Sequence, residues 1–323
     1  MIILHSLEEL SRITQPAQLA LGVFDGIHLG HKAVIGHAVA EAHARNQLAG
    51  VLTFEDHPMA LICPEQRPGK LLSSPRHKQK WLEPLGIDFV IILPFTRELA
   101  ALSAEDFLHI LYTRMNLKGI TVGTDWCFGK NRTGNVDYLR RQGELHGFTV
   151  QAIPPVTTQD GERISSTAIR EAIARGKFDR ARELLGRDYT LSGTVIHGRQ
   201  LARQWGVPTA NLHVDNEQLP PSGVYIIRAT LPDGMRYNGI ANLGRRPTVE
   251  PTRAEKYLEV HLFDYSGDLY GQKVDVKFLR FLRREQKFFS LEELRKQIDL
   301  DVQEARNLFI LNPAYSENEH SAS

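Results

Sequence analysis

Cysteine is nearly missing from this chain, with two in 323 residues, Cys63 and Cys127. Two cysteines build no disulfide framework and their spacing is no zinc pattern, which excludes a small cross-linked secreted domain. A surplus of one charge is missing too. Lys and Arg number 39 against 38 Asp and Glu, whereas a nucleic-acid-binding protein normally carries a basic excess. No apolar run approaches the length that spans a bilayer. Residues 1–15 lack the basic start and apolar core of a secretory signal, and there is no internal repeat or low-complexity tract. These absences predict a cytoplasmic protein with neither nucleic acid nor membrane as a partner, and they leave self-association open.

What is present falls into two textures. Residues 1–186 alternate strand-length apolar runs at 17–22, 49–53, 89–93, 119–123 and 148–153 with helical patterns, among them 104–115 with Ser103 as its cap. Such alternation predicts an α/β fold, a mostly parallel sheet with helices on both faces, whose ligands sit beyond the carboxyl ends of the strands. Ser6-Leu7-Glu8-Glu9 reads as a capping box opening a short helix. From Arg187 the pattern changes to short strands at 192–196, 224–231, 235–241, 257–262 and 273–282, with a hairpin turn at Pro232-Asp233-Gly234-Met235. Five or six such strands predict a small antiparallel β-barrel. Ser290-Leu291-Glu292-Glu293 opens a last helix to about residue 308, with Leu291, Leu294, Ile298, Val302 and Ala305 on one stripe, and the tail from Asn312 is polar. The expected organisation is therefore 1–186 and 187–323, and 323 residues leave room for two domains.

The densest chemistry lies just past the first strand, in Gly22-Val23-Phe24-Asp25-Gly26-Ile27-His28-Leu29-Gly30-His31. This is a strand, a glycine-rich turn and a helix start running on to about Ala44. A helix N-terminus offers unpaired N–H groups and a positive dipole end to phosphate. Gly22, Gly26 and Gly30, with Phe24 and Asp25 between them, suit close approach of a nucleotide. His28 and His31, three apart, are placed to donate hydrogen bonds to oxygens that gain charge in phosphoryl or nucleotidyl transfer. The plainer reading is two solvated histidines at a helix start. The spacing is neither a P-loop nor a dinucleotide fingerprint. A second element, Ile164-Ser165-Ser166-Thr167-Ala168-Ile169-Arg170, places three hydroxyls at the start of a helix over about 168–174, with Arg170 adding a charged fork for phosphate. By itself it is simply a capped helix.

The second half has its own constellation. A strand through Val195 leads into a loop with Gly198 and then Trp205-Gly206-Val207-Pro208-Thr209-Ala210-Asn211. In extended chain Thr209 and Asn211 face one side, and their oxygens suit a hard cation such as Mg²⁺. A turn in which both bond the backbone is the alternative. Glu259, in Tyr257-Leu258-Glu259-Val260-His261, faces away from Leu258 and Val260, and alternation does not say which side is the barrel interior.

The first two motifs resemble the H-x-G-H and I-S-S-T-x-I-R motifs of the nucleotidyltransferase superfamily. Pro208-Thr209-Ala210-Asn211 resembles the P-T-A-N motif of riboflavin kinases. Gly239-Ile240-Ala241-Asn242-Leu243-Gly244-Arg245-Arg246-Pro247-Thr248 is similar to that family's flavin-side loop, and 258–264 to the strand bearing its catalytic Glu. The order resembles the bacterial bifunctional riboflavin kinase/FMN adenylyltransferase family over nearly the whole chain. The resemblance implies riboflavin, FMN and ATP as small-molecule partners, flavins as substrates and products, and Mg²⁺ with the ATP. It implies His28, His31, Arg170 and Glu259 as catalytic residues, Glu259 as the base. It implies ATP contacts at Gly22, Phe24, Asp25, Gly26, Gly30, Ser165, Ser166, Thr167, Gly198, Arg203 and Pro208. Flavin contacts fall at Asp125, Arg245, Arg246, Thr248, Arg283 and Glu285, and metal contacts at Thr209 and Asn211. One departure from the family is Ala202, where Gly is expected before Arg203.

Overall fold

The computed structural model describes residues 1–63, 65, 70–197, 208–215, 218–245 and 256–311. The chain divides into two compact units, Met1–Arg170 with Leu184–Gly186, and Glu171–Glu183 with Arg187–Ser323.

The first unit is the parallel α/β fold the alternation predicts. Its strands are β1 (Ile2–Leu4), β2 (Ala17–Leu21), β3 (Leu48–Phe54), β4 (Phe89–Leu93), β5 (Leu117–Gly123) and β6 (Thr149–Ile153). They lie in the order β1-β4-β3-β2-β5-β6, and every pairing is parallel. The helices are α1 (Leu29–Ala44), α2 (Met59–Ile62), α3 (Pro75–Leu82), α4 (Arg97–Ala101), α5 (Ala104–Arg114) and α6 (Val136–His146); α7 (Ser166–Ala174) and α8 (Phe178–Leu185) follow β6 in the chain, with residues 171–183 belonging to the second unit. Because side chains alternate along a strand, β2 serves both faces. Leu19 and Leu21 join a core with Phe107, Leu111 and Leu139 of α5 and α6. Ala20 joins the opposite core with Val34, Ile35 and Ala38 of α1. Ser103 caps α5 as expected, accepting from Asp106 N at 3.0 Å. After β4 the connection returns to the far side of β2, so the strand order reverses between β2 and β5. In such sheets that is where a crevice for ligands opens.

The second unit is a closed barrel in the order β10-β11-β8-β7-β12-β9. Its strands are β7 (Thr190–Ile196), β8 (Ala210–Val214), β9 (Gly223–Thr230), β10 (Arg236–Arg245), β11 (Lys256–Leu262) and β12 (Lys273–Arg283), and α9 (Leu291–Leu311) ends the described chain. Leu212, Ala241, Leu243, Leu258, Val260 and Val276 are buried and fill its interior. The predicted hairpin turn joins β9 to β10, with Gly234 N donating to Leu231 O at 3.0 Å. On the outer face, Ala305 and Phe309 of α9 pack with Ile226, Ile240 and Phe263.

Four local expectations need correction. The Ser6 box forms only in part: the short 3₁₀ helix Glu8–Arg12 has Leu7 at its N-cap with no side-chain cap bond, and Glu9 accepts from His5 N at 2.6 Å as well as from the Ser6 amide. Leu291 is 64% exposed and off the buried stripe of α9, which runs through Asp301, Ala305 and Phe309. The three-residue β1 and the strand β8 were not anticipated as strands. The tail from Asn312 lies outside the described residues.

Candidate active sites in the two units

In the first unit, the chain leaves β2 and turns sharply through 22–27. Gly26 has φ +84°, and a Cβ there would stand 2.9 Å from Leu72 Cδ1, so glycine is required twice over. Phe24 (φ 45°) and Ile27 (φ 41°) adopt left-handed backbone without that freedom, a strained arrangement that its surroundings must enforce. His28 is the N-cap of α1: its Nδ1 accepts from His31 N at 3.2 Å. The two imidazoles stack at 3.5 Å between centroids, and Phe24 packs edge-on to His31 at 5.3 Å. The pair is therefore a fixed two-ring face, and His28 is 5% exposed.

That face borders a cavity of about 290 Å³ at the reversal between β2 and β5. Gly22, Phe24, His28, Gly30 and His31 line one side, and Ser165 and Ser166 another. The loop after β5 contributes Asp125 and Trp126, and the chain after β6 adds Pro154, Pro155, Val156 and Arg163. Ser165 Oγ accepts from Ala168 N at 3.2 Å, which starts α7 two residues earlier than expected. Asp125 forms an ion pair with Arg163 across the cavity. The hydrogen bond from that guanidinium holds the Asp125 carboxyl below its usual range.

Asp25, Gly26, Thr167 and Arg170 do not line the cavity. Thr167 is exposed on α7. Asp25 and Arg170 are 1% and 7% exposed and bind each other, Arg170 Nη2 donating to Asp25 Oδ2 at 2.6 Å. Asp25 also accepts from Leu72 N and from Ser73 N and Oγ. Arg170 Nε donates to Lys70 O at 2.7 Å, and Ser166 Oγ to Asp25 O at 3.0 Å. The carboxylate and guanidinium thus tie the glycine turn to α7. The loop Asp125-Trp126-Cys127-Phe128-Gly129 lies at a strand end, as its sequence position implies, but sequence reasoning missed Arg163 and the two prolines of the cavity wall. It also missed Lys78 on α3, 2% exposed, because an isolated lysine on a helix reads as solvated. Arg163 stands directly before the serine motif, a signal that was available.

In the barrel, register gathers the second constellation. Asn211 of β8 lies directly opposite Glu259 of β11, Glu259 opposite Asn242 of β10, Asn242 opposite Val224 of β9, and Val224 opposite Arg283 of β12. Directly paired residues share a face, so these five form one row. Since Leu258 and Val260 are interior, the row is on the outer face, the side sequence alternation left open. It is not simply solvated there. Asn211 is 6% exposed, and the Oδ1 of half-buried Asn242 is buried with no partner among the described residues. The ring of His261 donates from Nδ1 to Pro208 O at 2.9 Å, which holds Pro208, Thr209 and Asn211 against β11. Burial lowers the His261 pKa and favours this neutral, donating ring.

Glu285 lies over Gly244: a Cβ at 244 would collide with its carboxylate and with the Tyr257 hydroxyl. Arg283 is engaged with α9, its Nε and Nη2 donating to the Asp301 carboxylate at 2.8 and 2.7 Å. Arg245 ends β10, and its side chain lies outside the described residues, as do Gly198, Arg203, Arg246 and Thr248. Among the described residues no group of three or more His, Cys, Asp or Glu side chains is placed to hold a metal.

A parallel sheet, with its cavity at a helix N-terminus, is thus joined in one chain to a barrel that pairs Asn211 with Glu259. Residues 10–168 match the family model of FAD synthetase, and residues 185–309 that of riboflavin kinase. The bifunctional riboflavin kinase/FMN adenylyltransferase of Haemophilus influenzae is 38% identical, covering 96% of this chain and 99% of its own. That of Pseudomonas fluorescens is 40% identical, covering 89% and 91%, and that of Escherichia coli K12 36%, covering 96% and 98%. This chain belongs to the family of bifunctional riboflavin kinases/FMN adenylyltransferases. A solved structure described as a macrolide-efflux protein from Streptococcus pneumoniae superposes with a TM-score of 0.81 at 30% identity, over 95% of this chain and 98% of that one. No helix among the described residues is long and apolar enough to cross a membrane.

Proposed function

We propose that this chain makes flavin cofactors in two steps, dividing the work near residue 186. The barrel unit phosphorylates riboflavin with ATP, giving FMN and ADP. The parallel-sheet unit adenylylates FMN with a second ATP, giving FAD and pyrophosphate. The observation that carries the reading is that each of two separate constellations lies in the stretch of chain matching the corresponding family model. The substrates are small molecules, and the compartment is the cytoplasm, which two unpaired cysteines suit.

The two reactions pose different problems. The 5′-hydroxyl of riboflavin is a weak nucleophile and needs a base. Glu259 takes its proton as the oxygen attacks the γ-phosphorus of ATP and ADP leaves with the bridging electron pair. Asn211, opposite Glu259, and Thr209 orient the phosphates. Thr209 and Asn211 offer oxygen donors, which suit Mg²⁺. Bound with ATP, that ion supplies positive charge to the phosphate oxygens. The FMN phosphate is already anionic, so its attack on the α-phosphorus needs alignment and charge stabilisation rather than a base. His28 and His31 donate to the phosphate oxygens, with the hydroxyls of Ser165 and Ser166 beside them. Arg170 acts through Asp25, as a positioning residue for the turn. Arg163 is freed for the FMN phosphate when that anion competes with Asp125.

The test is to incubate the pure chain with riboflavin and Mg-ATP and separate the flavins by chromatography over time. FMN rises first and FAD follows. FMN without FAD, when FMN is also supplied directly, overturns the adenylyl-transfer assignment. FAD from FMN with no riboflavin phosphorylation overturns the kinase assignment.

A further inference from the structure

Lys78 of α3 is 2% exposed. Removing an ammonium from water is costly unless it is well satisfied, and an apolar side chain would fill the same space. Its contacts say what it does there. Nζ donates to Val23 O at 3.4 Å and to Phe54 O. Phe54 ends β3, and Val23 begins the turn that builds the His28 site and lines the cavity. Thr53 Oγ1 donates to the same Val23 carbonyl at 2.7 Å. On the far side of the turn, Ser73 Oγ accepts from Gly26 N at 3.1 Å, and Asp25 is held by Leu72, Ser73 and Arg170. Between these clamps lie the two left-handed non-glycine residues, Phe24 and Ile27, which persist only where surroundings over-determine them. The charge on Arg170 is met directly by Asp25. Lys78 instead gives its hydrogen bonds to the Val23 and Phe54 carbonyls, directly behind a wall of the cavity, with the carboxylates of Asp25, Glu55 and Asp56 acting on it only through space.

We propose that Lys78 is a positioning residue for adenylyl transfer: its buried ammonium pins the Val23 carbonyl, holds the strained Phe24–Ile27 turn in place, and keeps a fixed positive charge behind the nucleotide phosphates. This rests on the assignment of adenylyl transfer to the first unit. A cation fixed in a site of low dielectric acts on phosphate charge without reorganising during the reaction. The charged groups facing Lys78 are Asp25 from the turn and Glu55 and Asp56 past β3. All three favour its protonated form, but burial outweighs them and brings its pKa down to about 8. The neutral amine still has hydrogens for both carbonyls, so deprotonation removes the charge and leaves the clamp.

That difference separates the proposed role from a purely structural one. With the full chain, FMN and Mg-ATP, kcat/KM for ATP in FAD formation reports ionisations of the free enzyme. It should fall as pH rises through about 8, where Lys78 loses its proton. The bound triphosphate favours the protonated lysine, so the fall in kcat should come at higher pH. FMN formation from riboflavin by the same chain should show no such limb. Lys78→Arg keeps a cation and should lose the limb, and Lys78→Met should lower kcat/KM for FAD formation about tenfold or more at pH 7 while FMN formation holds. A wild-type profile flat between pH 7 and 9.5, or a limb unmoved in Lys78→Arg, overturns the proposal. If neither variant folds, the wild-type profile decides alone. A wild-type chain that makes FMN but no FAD at any pH overturns the adenylyl-transfer assignment and this inference with it, a result distinct from FAD formation without the limb.

Discussion

His28 does two things with one ring. As the N-cap of α1 it accepts the His31 amide, a bond worth about 1 kcal/mol to the helix. As one face of the cavity it is stacked in place by His31. His28→Ala should therefore cost little stability but lower FAD formation on the order of 10²–10³-fold, the usual loss for one transition-state donor. FMN formation should be spared, and equal loss of both activities in a folded variant would contradict two separate sites. Glu259→Gln makes the complementary case. Gln keeps the shape and can still accept a hydrogen bond, but it cannot take the hydroxyl proton. Riboflavin phosphorylation should drop roughly 10²–10⁴-fold in kcat, with KM values little changed and FAD formation from supplied FMN intact. Near-normal phosphorylation would remove this carboxylate as the base. At this scale sequence is a good guide to residues that sit in motifs and a poor one to their contacts. Asp25 and Arg170 stand in two motifs that both suit phosphate, yet they bind each other, a pairing 145 residues apart that no local pattern reveals.

Among elements, those bounded by strong local chemistry were legible: β2 and α1 from the glycine turn, α5 from Ser103, and the β9–β10 hairpin from its turn residues. Those decided by tertiary pairing were not. β1 has three residues and exists because β4 offers it an edge. β8 begins inside a motif that reads as a loop and becomes a strand because β7 and β11 flank it. The Ser6 box shows the reverse case, a good local signal partly overridden when Glu9 takes the His5 amide as its main partner. β8 also carries a prediction. Because it places Asn211 against Glu259 and leaves Thr209 just before the strand, Thr209→Ala and Asn211→Ala should both weaken riboflavin phosphorylation through the ATP-bound metal. If coordination is the cause, raised Mg²⁺ should restore part of the rate, more than it does for Glu259→Gln. A defect indifferent to Mg²⁺ in both variants would make the segment a structural turn.

For the whole molecule, the change of sequence texture near Arg187 and the packing of the chain do not fall at one residue. Residues 171–183 group with the barrel rather than with the sheet that precedes them. The physical reason is visible at Phe178 of α8, 9% exposed. Its ring stacks on Phe278 at 5.6 Å and meets Tyr225 edge-on at 5.7 Å, and both partners belong to the barrel. Periodicity could not show this, because these residues fall inside the stretch 1–186 that reads as one alternating α/β segment. Two fragments test the consequence. One starting at Glu171 keeps the Phe178 contacts, and one starting at Arg187 loses them along with the rest of α8. Truncating a buried Phe alone typically costs about 3–5 kcal/mol, a large share of the roughly 5–15 kcal/mol that holds a domain together. The longer fragment should unfold cooperatively, convert riboflavin to FMN and make no FAD. The shorter one should melt at a markedly lower temperature or fail to fold, and Phe178→Ala in the longer fragment should reproduce most of that loss. Equal melting temperatures for the two fragments would show that the barrel does not draw stability from α8. A longer fragment that is well folded but inert toward riboflavin would remove the kinase site from this unit.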